Sequence, residues 1–434
     1  MRQFDTARDS PETIHSALTA RDTARDAEVV GTVRAILDAV QARGDAAVLD
    51  YTRRFDWPEA TIEALSLTNA QLTEQFEPTA SEADCDLLDA AAANIIAFHE
   101  AERGHLQSWM QTSASGPARI TGQLLQPVRR VGVYVPGGKA AYPSTVLMAA
   151  IPASIAGVEE IIVCTPPSSG GSLTPLVGLA AQAWATQLFK IGGAQAIAAM
   201  AYGTETVPRC DVIVGPGNAY VNTAKKLVYG EVGIDMLAGP SEVAIIADEK
   251  TNPVFVAADL LAQTEHGPDN KGFLFSHSFD TLEHCKTEVT KQRNLLSRTE
   301  ILTATSANLV FIKTNSLEES LSLSNTLAPE HLELMVEEPL SALPLVKNAG
   351  AVLLGEYTSA PLGDYWAGPS HTLPTAGAAR FSSPLSVATF MKRSSILYYS
   401  KKAAEEVSEE VARFAEAEGF DAHAAAARLR KAFR

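Results

Sequence analysis

The hydrophobic and polar positions of the chain follow two different patterns. In about the first 125 residues, stretches such as "DAEVVGTVRAILDAVQARGDAAVLDYTRRF" and "SEADCDLLDAAAANIIAFHEAE" carry apolar residues at helical spacing. Further along, short apolar runs rich in β-branched residues, "RVGVYV", "EEIIVCT", "TQLFKIG" and "DVIVGPG", alternate with helical stretches. This alternation predicts βαβ units and a parallel sheet that is buried on both faces.

A second series of the same kind begins near Gly239 and Pro240. The runs "EVAIIAD", "GFLFSHS", "ANLVFIKT", "HLELMV" and "AVLLGEY" predict strands that are separated by helices. The sequence therefore predicts an α/β protein with two Rossmann-like parallel-sheet domains and smaller helical N- and C-terminal segments. The expected limits are 1–125 for a helical N-terminal region that packs in part with the second α/β domain, 126–238 and 239–380 for the two domains, and 381–434 for a helical tail.

Composition and charge narrow the class of protein. A chain of 434 residues favours two large domains, and its net charge of −16 argues against nucleic acid or an anionic membrane as the main partner. The four cysteines form no C-x-x-C pair, so a reducing compartment fits better than a disulfide framework. The N-terminus has no apolar signal core, and the longest apolar stretch is interrupted by Pro152. We therefore expect a cytoplasmic protein.

Glycine-rich turns follow several predicted strands. The turn "VPGGKAAYPST" does not fit a phosphate-binding P-loop, because Gly138 stands where that motif requires lysine, and G-x-G-x-x-G spacing occurs nowhere in the chain. Comparable turns are "IGGAQ", "VGPGN" and "AGPSE". Ligands of open parallel sheets bind at the carboxyl ends of strands, so these turns predict a cofactor rim with Tyr134, Gln195, Asn218 and Ser241 nearby. For each turn considered alone, the alternative interpretation is an ordinary connection between a strand and a helix.

Two short segments place ionisable side chains beside predicted strands or helix ends. In "LAQTEHGPDN", Gln263 and His266 leave the same face of a helix end, although a solvated end with an imidazole near the helix dipole is the simpler interpretation. In "LAPEHLEL", Glu330 and His331 stand at a helix-to-strand junction. An irregular junction lets a carboxylate and an imidazole converge as general bases, and an exposed loop pair is the alternative.

Two further segments carry candidate metal ligands. The glycine- and proline-rich stretch "PLGDYWAGPSHTLPT" contains Asp364 and His371, and it is either an ordered functional loop or a surface connection. His423 lies in the first turn of the last predicted helix, where a structural role is the alternative. Imidazole, carboxylate and amide oxygen are donors that zinc accepts, but their spacing forms no metal-binding signature. We expect the remaining histidines to be structural or solvated: His15, His99, His105, His277 and His284.

Several segments taken together resemble the histidinol dehydrogenase family. They are "YVPGGKAAYPSTVLM", "IGGAQAIAAMAYGTETVP", "VGPGNAYV", "DMLAGPSEV", "DLLAQTEHGPD", "PEHLE" and "GDYWAGPSHTLPTAG", in the family's order from about residue 25 onward. The resemblance implies an enzyme of histidine biosynthesis that oxidises L-histidinol through L-histidinal to L-histidine and consumes two NAD. It also implies one Zn²⁺ per subunit and a homodimer in which the C-terminal tail contributes to the partner subunit's active site.

The resemblance also implies roles for individual residues. It gives NAD contacts at Tyr134, Gln195 and Asn218, catalytic bases at Glu330 and His331, and zinc ligands at Gln263, His266, Asp364 and, from the partner chain, His423. The implied substrate contacts are Ser241, Gln263, His266, Glu330, His331, Asp364, His371, Glu418 and His423. The absence of a phosphate fingerprint predicts weak NAD binding. The alternatives are a related dehydrogenase of the same family that acts on another amino alcohol or hydroxy acid, and a metal-dependent hydrolase or small-molecule binding protein with no redox role.

Overall fold

The structure is a computed structural model that describes residues 1–19, 26–137, 142–265 and 267–432. Its strands are β1 (Arg2–Asp5), β2 (Ser66–Thr68), β3 (Trp109–Thr112), β4 (Arg119–Pro127), β5 (Arg130–Tyr134), β6 (Glu160–Cys164), β7 (Gln187–Phe189), β8 (Val212–Val214), β9 (Gly233–Ile234), β10 (Glu242–Ala247), β11 (Lys271–Ser276), β12 (Leu309–Lys313), β13 (His331–Met335), β14 (Ala351–Leu354) and β15 (Met391–Tyr399).

The α-helices alternate with most of these strands. They are α1 (Pro11–Thr19), α2 (Asp26–Arg43), α3 (Asp45–Phe55), α4 (Ile62–Leu65), α5 (Asn69–Phe76), α6 (Glu82–Gly104), α7 (Pro143–Ala156), α8 (Pro175–Trp184), α9 (Gly193–Tyr202), α10 (Ala219–Val228), α11 (Pro253–Thr264), α12 (Phe279–Arg293), α13 (Thr299–Thr305), α14 (Leu317–Leu327), α15 (Pro339–Ala342), α16 (Ala360–Tyr365), α17 (Lys401–Ala417) and α18 (Asp421–Ala432). None of the helices in the described ranges combines the length and the apolar character needed to cross a bilayer.

The first sheet has the strand order β2-β7-β6-β5-β8-β9 and is parallel except for β2, which runs antiparallel to β7. The chain begins at β5, moves outward through β6 to β7, and then returns to the other side of β5 with β8 and β9. Gly132 lies in the middle of β5, where a Cβ atom would meet Met200 Sδ of α9 at 2.5 Å. Glycine therefore lets α9 pack closely against the central strand.

The second sheet has the order β1-β12-β11-β10-β13-β14, and its five strand pairings are all parallel. From β10 onward it repeats the order of the first sheet, and β1 extends it at the β12 edge. The strands β10, β11 and β13 are almost entirely buried, which explains the apolar runs at the centres of β10 and β11, whereas β13 buries His331 and Glu333 among its leucines. The predicted α/β class with parallel sheets is confirmed.

Both sheets belong to one compact unit, which comprises residues 1–100 and 128–390. A second unit comprises residues 101–127 and 391–434, and it contains an antiparallel sheet of order β15-β4-β3 together with α17 and α18. The predicted helical tail carries α17 and α18, and it also contains the strand β15 at Met391–Tyr399, which the sequence pattern did not indicate. Its partner β4 lies more than 260 residues earlier, so local sequence patterning does not reveal the pairing. The limits proposed for the two α/β domains remain predictions.

Candidate active site

A cavity with a volume of about 800 Å³ lies at the carboxyl edge of the first sheet. Tyr134 is the last residue of β5, Gln195 lies in the first turn of α9 after β7, and Asn218 stands directly before α10 after β8. All three side chains line this cavity. The strand order reverses at β5, and an open parallel sheet forms its ligand crevice at such a reversal.

Hydrogen bonds fix two of these residues. The Gly193 amide donates to Tyr134 Oη at 3.1 Å, and burial raises the pKa of the Tyr134 phenol to about 12. The phenol is therefore protonated at neutral pH. Asn218 Oδ1 accepts hydrogen bonds from the amides of Tyr220 at 3.0 Å and Val221 at 3.1 Å, so that Asn218 caps α10.

Asp56, which the sequence did not single out, also lines this cavity. It follows α3, and its Oδ2 accepts from Gln195 Nε2 at 3.4 Å. Burial raises the pKa of the Asp56 carboxyl to about 6, while an amide hydrogen bond from Gly192 acts in the opposite direction. No local motif marks this residue. The carboxylate reaches the cavity because α2 and α3 pack against α9 in the hydrophobic core of the first sheet.

A buried ion pair holds the turn that leads to Asn218. Lys225 Nζ donates to the Gly215 carbonyl at 2.9 Å and contacts Asp235 Oδ1 at 2.5 Å. Asp235 Oδ2 in turn accepts from the Gly215 amide at 2.8 Å. Both charged side chains are fully buried, so the turn is fixed from its amide and its carbonyl side at once.

A second group of polar side chains lies at the amino edge of the second sheet. Glu330 directly precedes β13 and His331 begins it, and they are only 6% and 4% exposed. His331 Nδ1 is 4.0 Å from Glu330 Oε2, and its Nε2 is 3.5 Å from Asp364 Oδ1. Gln263 Nε2 lies 3.5 Å from Glu330 Oε2. We call Gln263, Glu330, His331 and Asp364 the acid–imidazole cluster.

Burial and mutual charge set the protonation of this cluster. Burial raises the pKa of Glu330, although the His331 charge and the Glu242 amide, which donates to Glu330 Oε2 at 2.9 Å, oppose the shift. Burial alone lowers the pKa of His331, but the Asp364 hydrogen bond and the Glu330 charge outweigh it, so the pKa is raised. Burial and the charge of Glu330 also raise the pKa of Glu242 to about 7. The arrangement is suited to proton transfer.

The structure places Ser241 with this cluster and not with the cofactor rim. The turn "AGPSE" leads into the amino end of β10, where the Ser241 side chain interacts with Glu330. The grouping of Ser241 with Tyr134, Gln195 and Asn218 is therefore wrong. The reason is that the chain crosses from the first sheet to the second between β9 and β10.

His371 also approaches the cluster, through the backbone of Asp364. Its Nδ1 is 3.0 Å from the Asp364 carbonyl oxygen, and its Nε2 is 3.2 Å from Thr145 Oγ1 on α7. His371 thus holds the end of α16, the short helix that carries Asp364. The segment around His371 is ordered by these contacts and belongs to the first unit.

Three further residues were predicted for the site: His266, Glu418 and His423. His266 lies outside the described residues. Glu418 follows α17 and His423 lies in the first turn of α18, both in the second unit and both exposed. The His423 ring packs 5.3 Å from the Phe420 ring, measured between centroids.

Comparison with known proteins identifies the family. The family model described as histidinol dehydrogenase matches residues 19–431. Histidinol dehydrogenase from Synechococcus sp. is 48% identical over 406 residues, covering 92% of each chain, and that from Geobacter sulfurreducens is 46% identical over 418 residues, covering 96% of each. The crystal structure of histidinol dehydrogenase from Elizabethkingia anophelis matches with a TM-score of 0.91 at 33% identity, covering 99% of this chain and 98% of that one. The chain therefore belongs to the histidinol dehydrogenase family, a family of oxidoreductases of histidine biosynthesis.

Proposed function

We propose that this protein is an NAD-dependent, zinc-containing dehydrogenase that oxidises L-histidinol through L-histidinal to L-histidine. The observation that carries the proposal is the buried imidazole of His331 between the carboxylates of Glu330 and Asp364. A four-electron oxidation of an alcohol to an acid needs a proton acceptor and a base that activates water, and this pair supplies both.

NAD binds in the cavity at the carboxyl edge of the first sheet, in contact with Tyr134, Gln195 and Asn218. NAD supplies the hydride acceptor for each of the two oxidations. The chain contributes neutral donors, a protonated phenol and two amide side chains, and the cavity is large enough for part of a dinucleotide. The glycine-rich phosphate fingerprint is missing, so we expect weak NAD binding, and a submicromolar dissociation constant would contradict this.

The acid–imidazole cluster fits a zinc ion by its charge and by its donors. Glu330 and Asp364 place two carboxyl groups beside one imidazole, and the charge of Glu330 also acts on the neighbouring Glu242, so a bound cation would offset negative charge. The ligands would be Gln263, His266 and Asp364 with His423 of the partner subunit, which are oxygen and nitrogen donors that zinc accepts. When bound, zinc would supply a positive charge that orients the substrate's imidazole and amine.

His331 and Glu330 divide the proton transfers. His331 in its neutral form takes the proton of the substrate hydroxyl as hydride leaves the same carbon. Glu330 then removes a proton from a water molecule that adds to the aldehyde, and the resulting hydrate loses the second hydride. Because both side chains are almost fully buried, bulk water is kept from the aldehyde between the two oxidations.

The protein acts as a cytoplasmic homodimer with a shared active site and without nucleic acid or membrane partners. In this arrangement Glu418 of the partner subunit and His423 of the partner subunit complete the substrate site. A mixture of two inactive variants, His423→Asn and His331→Asn, should regain activity through hybrid dimers that hold one intact site. Absence of recovery after confirmed subunit exchange would contradict a shared site.

The decisive experiment counts reduced cofactor. Purified protein is incubated with L-histidinol and excess NAD, before and after chelation, and NADH formed per histidinol consumed is measured. We expect two NADH per histidinol, loss of activity on chelation and recovery with zinc. One NADH per histidinol would indicate a simple alcohol dehydrogenase and leave Glu330 without its role, and no NADH would reject the proposal.

A further inference from the structure

Two more carboxyl groups lie one layer beneath the acid–imidazole cluster. Glu333 on β13 stands two residues after His331 and on the same face of the strand. Asp259 on α11 precedes Gln263 by one helical turn and therefore lies on the same side of that helix. The side chain of Glu333 is completely buried, and Asp259 is 7% exposed.

The carboxyl groups of Asp259 and Glu333 form a hydrogen bond with each other only if they share a proton. Both carboxyl oxygens of Glu333 are buried, and neither has a hydrogen-bond partner of normal geometry among the described residues. The carboxyl of Asp259 is the side chain that interacts with it directly, and one proton between the two supplies the missing donor. Burial raises the pKa of Asp259 to about 6, and burial and the charge of Asp259 raise the pKa of Glu333.

The pair is connected to the helix that carries Asp364. The Glu333 carboxyl also lies near the backbone N–H of Ala360, the first residue of α16, and this N–H acts to lower the pKa of Glu333. At the other end of this helix, His371 Nδ1 is 3.0 Å from the carbonyl oxygen of Asp364. The carboxyl pair thus lies at the start of α16 and His371 at its end, and on this helix Asp364 Oδ1 lies 3.5 Å from His331 Nε2.

We infer that Asp259 and Glu333 form a proton-sharing pair that positions α16, and with it the Asp364 carboxylate, for zinc binding and for contact with His331. Both are positioning residues, because neither is proposed to touch the substrate. Apart from the pair itself, the charged groups that face it are Asp364 on α16 and His331 on the same strand face. The link to zinc and to turnover rests on the function proposed above.

The first test compares a broken pair with mimics of the protonated pair. Glu333→Leu removes the contacts with Asp259 and Ala360, and we expect zinc affinity and kcat each to fall about 10- to 100-fold. Asp259→Asn and Glu333→Gln keep both contacts, because the amide of either replacement donates a hydrogen bond as the protonated carboxyl does. We therefore expect zinc affinity and kcat to change by no more than about 3-fold.

Leu334→Ala is the matched control, since Leu334 is a buried residue of the same strand in the core cluster on its other face. It should lower the melting temperature without lowering zinc affinity, which is measured by competition with a chelator. If Glu333→Leu resembles this control, or if Glu333→Gln is as damaging as Glu333→Leu, the inference is wrong.

The second test needs neither substrate nor turnover. A carboxyl whose pKa is raised in the folded state stabilises below its unfolded pKa, and this stability is lost as the pH rises through the folded value. For Asp259 that window runs from pH 3.8 to about 6. Between about pH 5 and pH 8 the zinc-loaded wild-type protein should therefore lose stability to denaturant relative to Asp259→Asn. Parallel curves would overturn the shared proton, whereas inactivity of the wild-type enzyme on histidinol would overturn only the proposed function.

Discussion

The two parallel sheets of the first unit repeat one strand order, yet they carry their polar side chains at opposite edges. In the first sheet, Tyr134, Gln195 and Asn218 follow the carboxyl ends of β5, β7 and β8. In the second sheet, Ser241 precedes β10 and Glu330 precedes β13, so the acid–imidazole cluster lies at the amino edge. A shared strand order thus does not determine which edge carries the chemistry.

The two edges also differ in chemical character. The first edge is built from glycine turns, a phenol and amides around an open cavity, with Asp56 as its one acidic lining residue among those described. The second edge collects buried ionisable groups whose pKa values are shifted by burial and by one another. The first is suited to holding a large ligand and the second to moving protons, so substitutions at the two edges should separate binding from chemistry.

The largest expected effect is at the second edge. His331→Asn removes the imidazole that we propose as acceptor of the substrate proton, and we expect both oxidations to slow by about 10²–10⁴-fold. NAD binding, measured by calorimetry, should be unchanged because His331 does not line the first cavity. His284→Asn, at an exposed position of α12, is the control. A weakened NAD affinity in His331→Asn would contradict the separation of the two edges.

The next effect is expected at the first edge. Lys225→Met leaves the Asp235 carboxylate buried without its cation, so the free energy of unfolding should fall by about 3–5 kcal/mol. Because the Gly215 carbonyl also loses its donor, the KM for NAD should rise more than kcat falls. Lys226→Met, at the exposed neighbouring position, is the control. Equal stability of the two variants would show that the ion pair does not hold the turn.

A smaller and more selective effect is expected for Glu330→Gln. The amide keeps the size of the carboxyl but cannot take a proton from water, so aldehyde oxidation should slow by about 10²-fold and alcohol oxidation by less. Single-turnover measurements that start from L-histidinol or from L-histidinal distinguish the two steps. Equal loss in both would remove the division of labour between Glu330 and His331.

The sequence predicted the α/β class because each central strand is a continuous apolar run bounded by turns, as in "EVAIIAD" and "RVGVYV". It also singled out Glu330 and His331, because a carboxylate and an imidazole stood together at a predicted helix-to-strand junction, and the structure places both side chains in the acid–imidazole cluster. It missed β15, whose pairing with β4 depends on residues far apart in the chain. Turn composition alone misassigned Ser241, because the pattern does not tell at which edge of which sheet a turn lies.

Asp56, Asp259 and Glu333 could not be found from sequence for a different reason. Each is a single acidic residue in or beside an ordinary helix or strand, and acidic residues at such positions are normally exposed. Only tertiary packing makes them unusual: α2 and α3 bring Asp56 to the first cavity, and α11 covers the face of β13 that carries Glu333. Their pKa values are shifted because the side chains are buried. The local sequence pattern does not show that a lone polar residue is buried.

The smallest effect is expected at Asp56. It measures how much the charge of this carboxyl affects the stability of the first edge. Burial raises the Asp56 pKa from 3.8 to about 6, so its contribution to stability is complete below 3.8 and is lost as the pH rises through about 6. Asp56→Asn removes this loss and keeps an acceptor for Gln195, and at about pH 8 it should be more stable than the wild type by about 1 kcal/mol, a value reduced for solvent screening. Thermal unfolding at about pH 5 and about pH 8, with the exposed Glu59→Gln as control, measures the difference. A pH-independent difference would mean that Asp56 is not desolvated in the cavity wall, and the contrast between a weakly charged first edge and a strongly coupled second edge would then be sharper still.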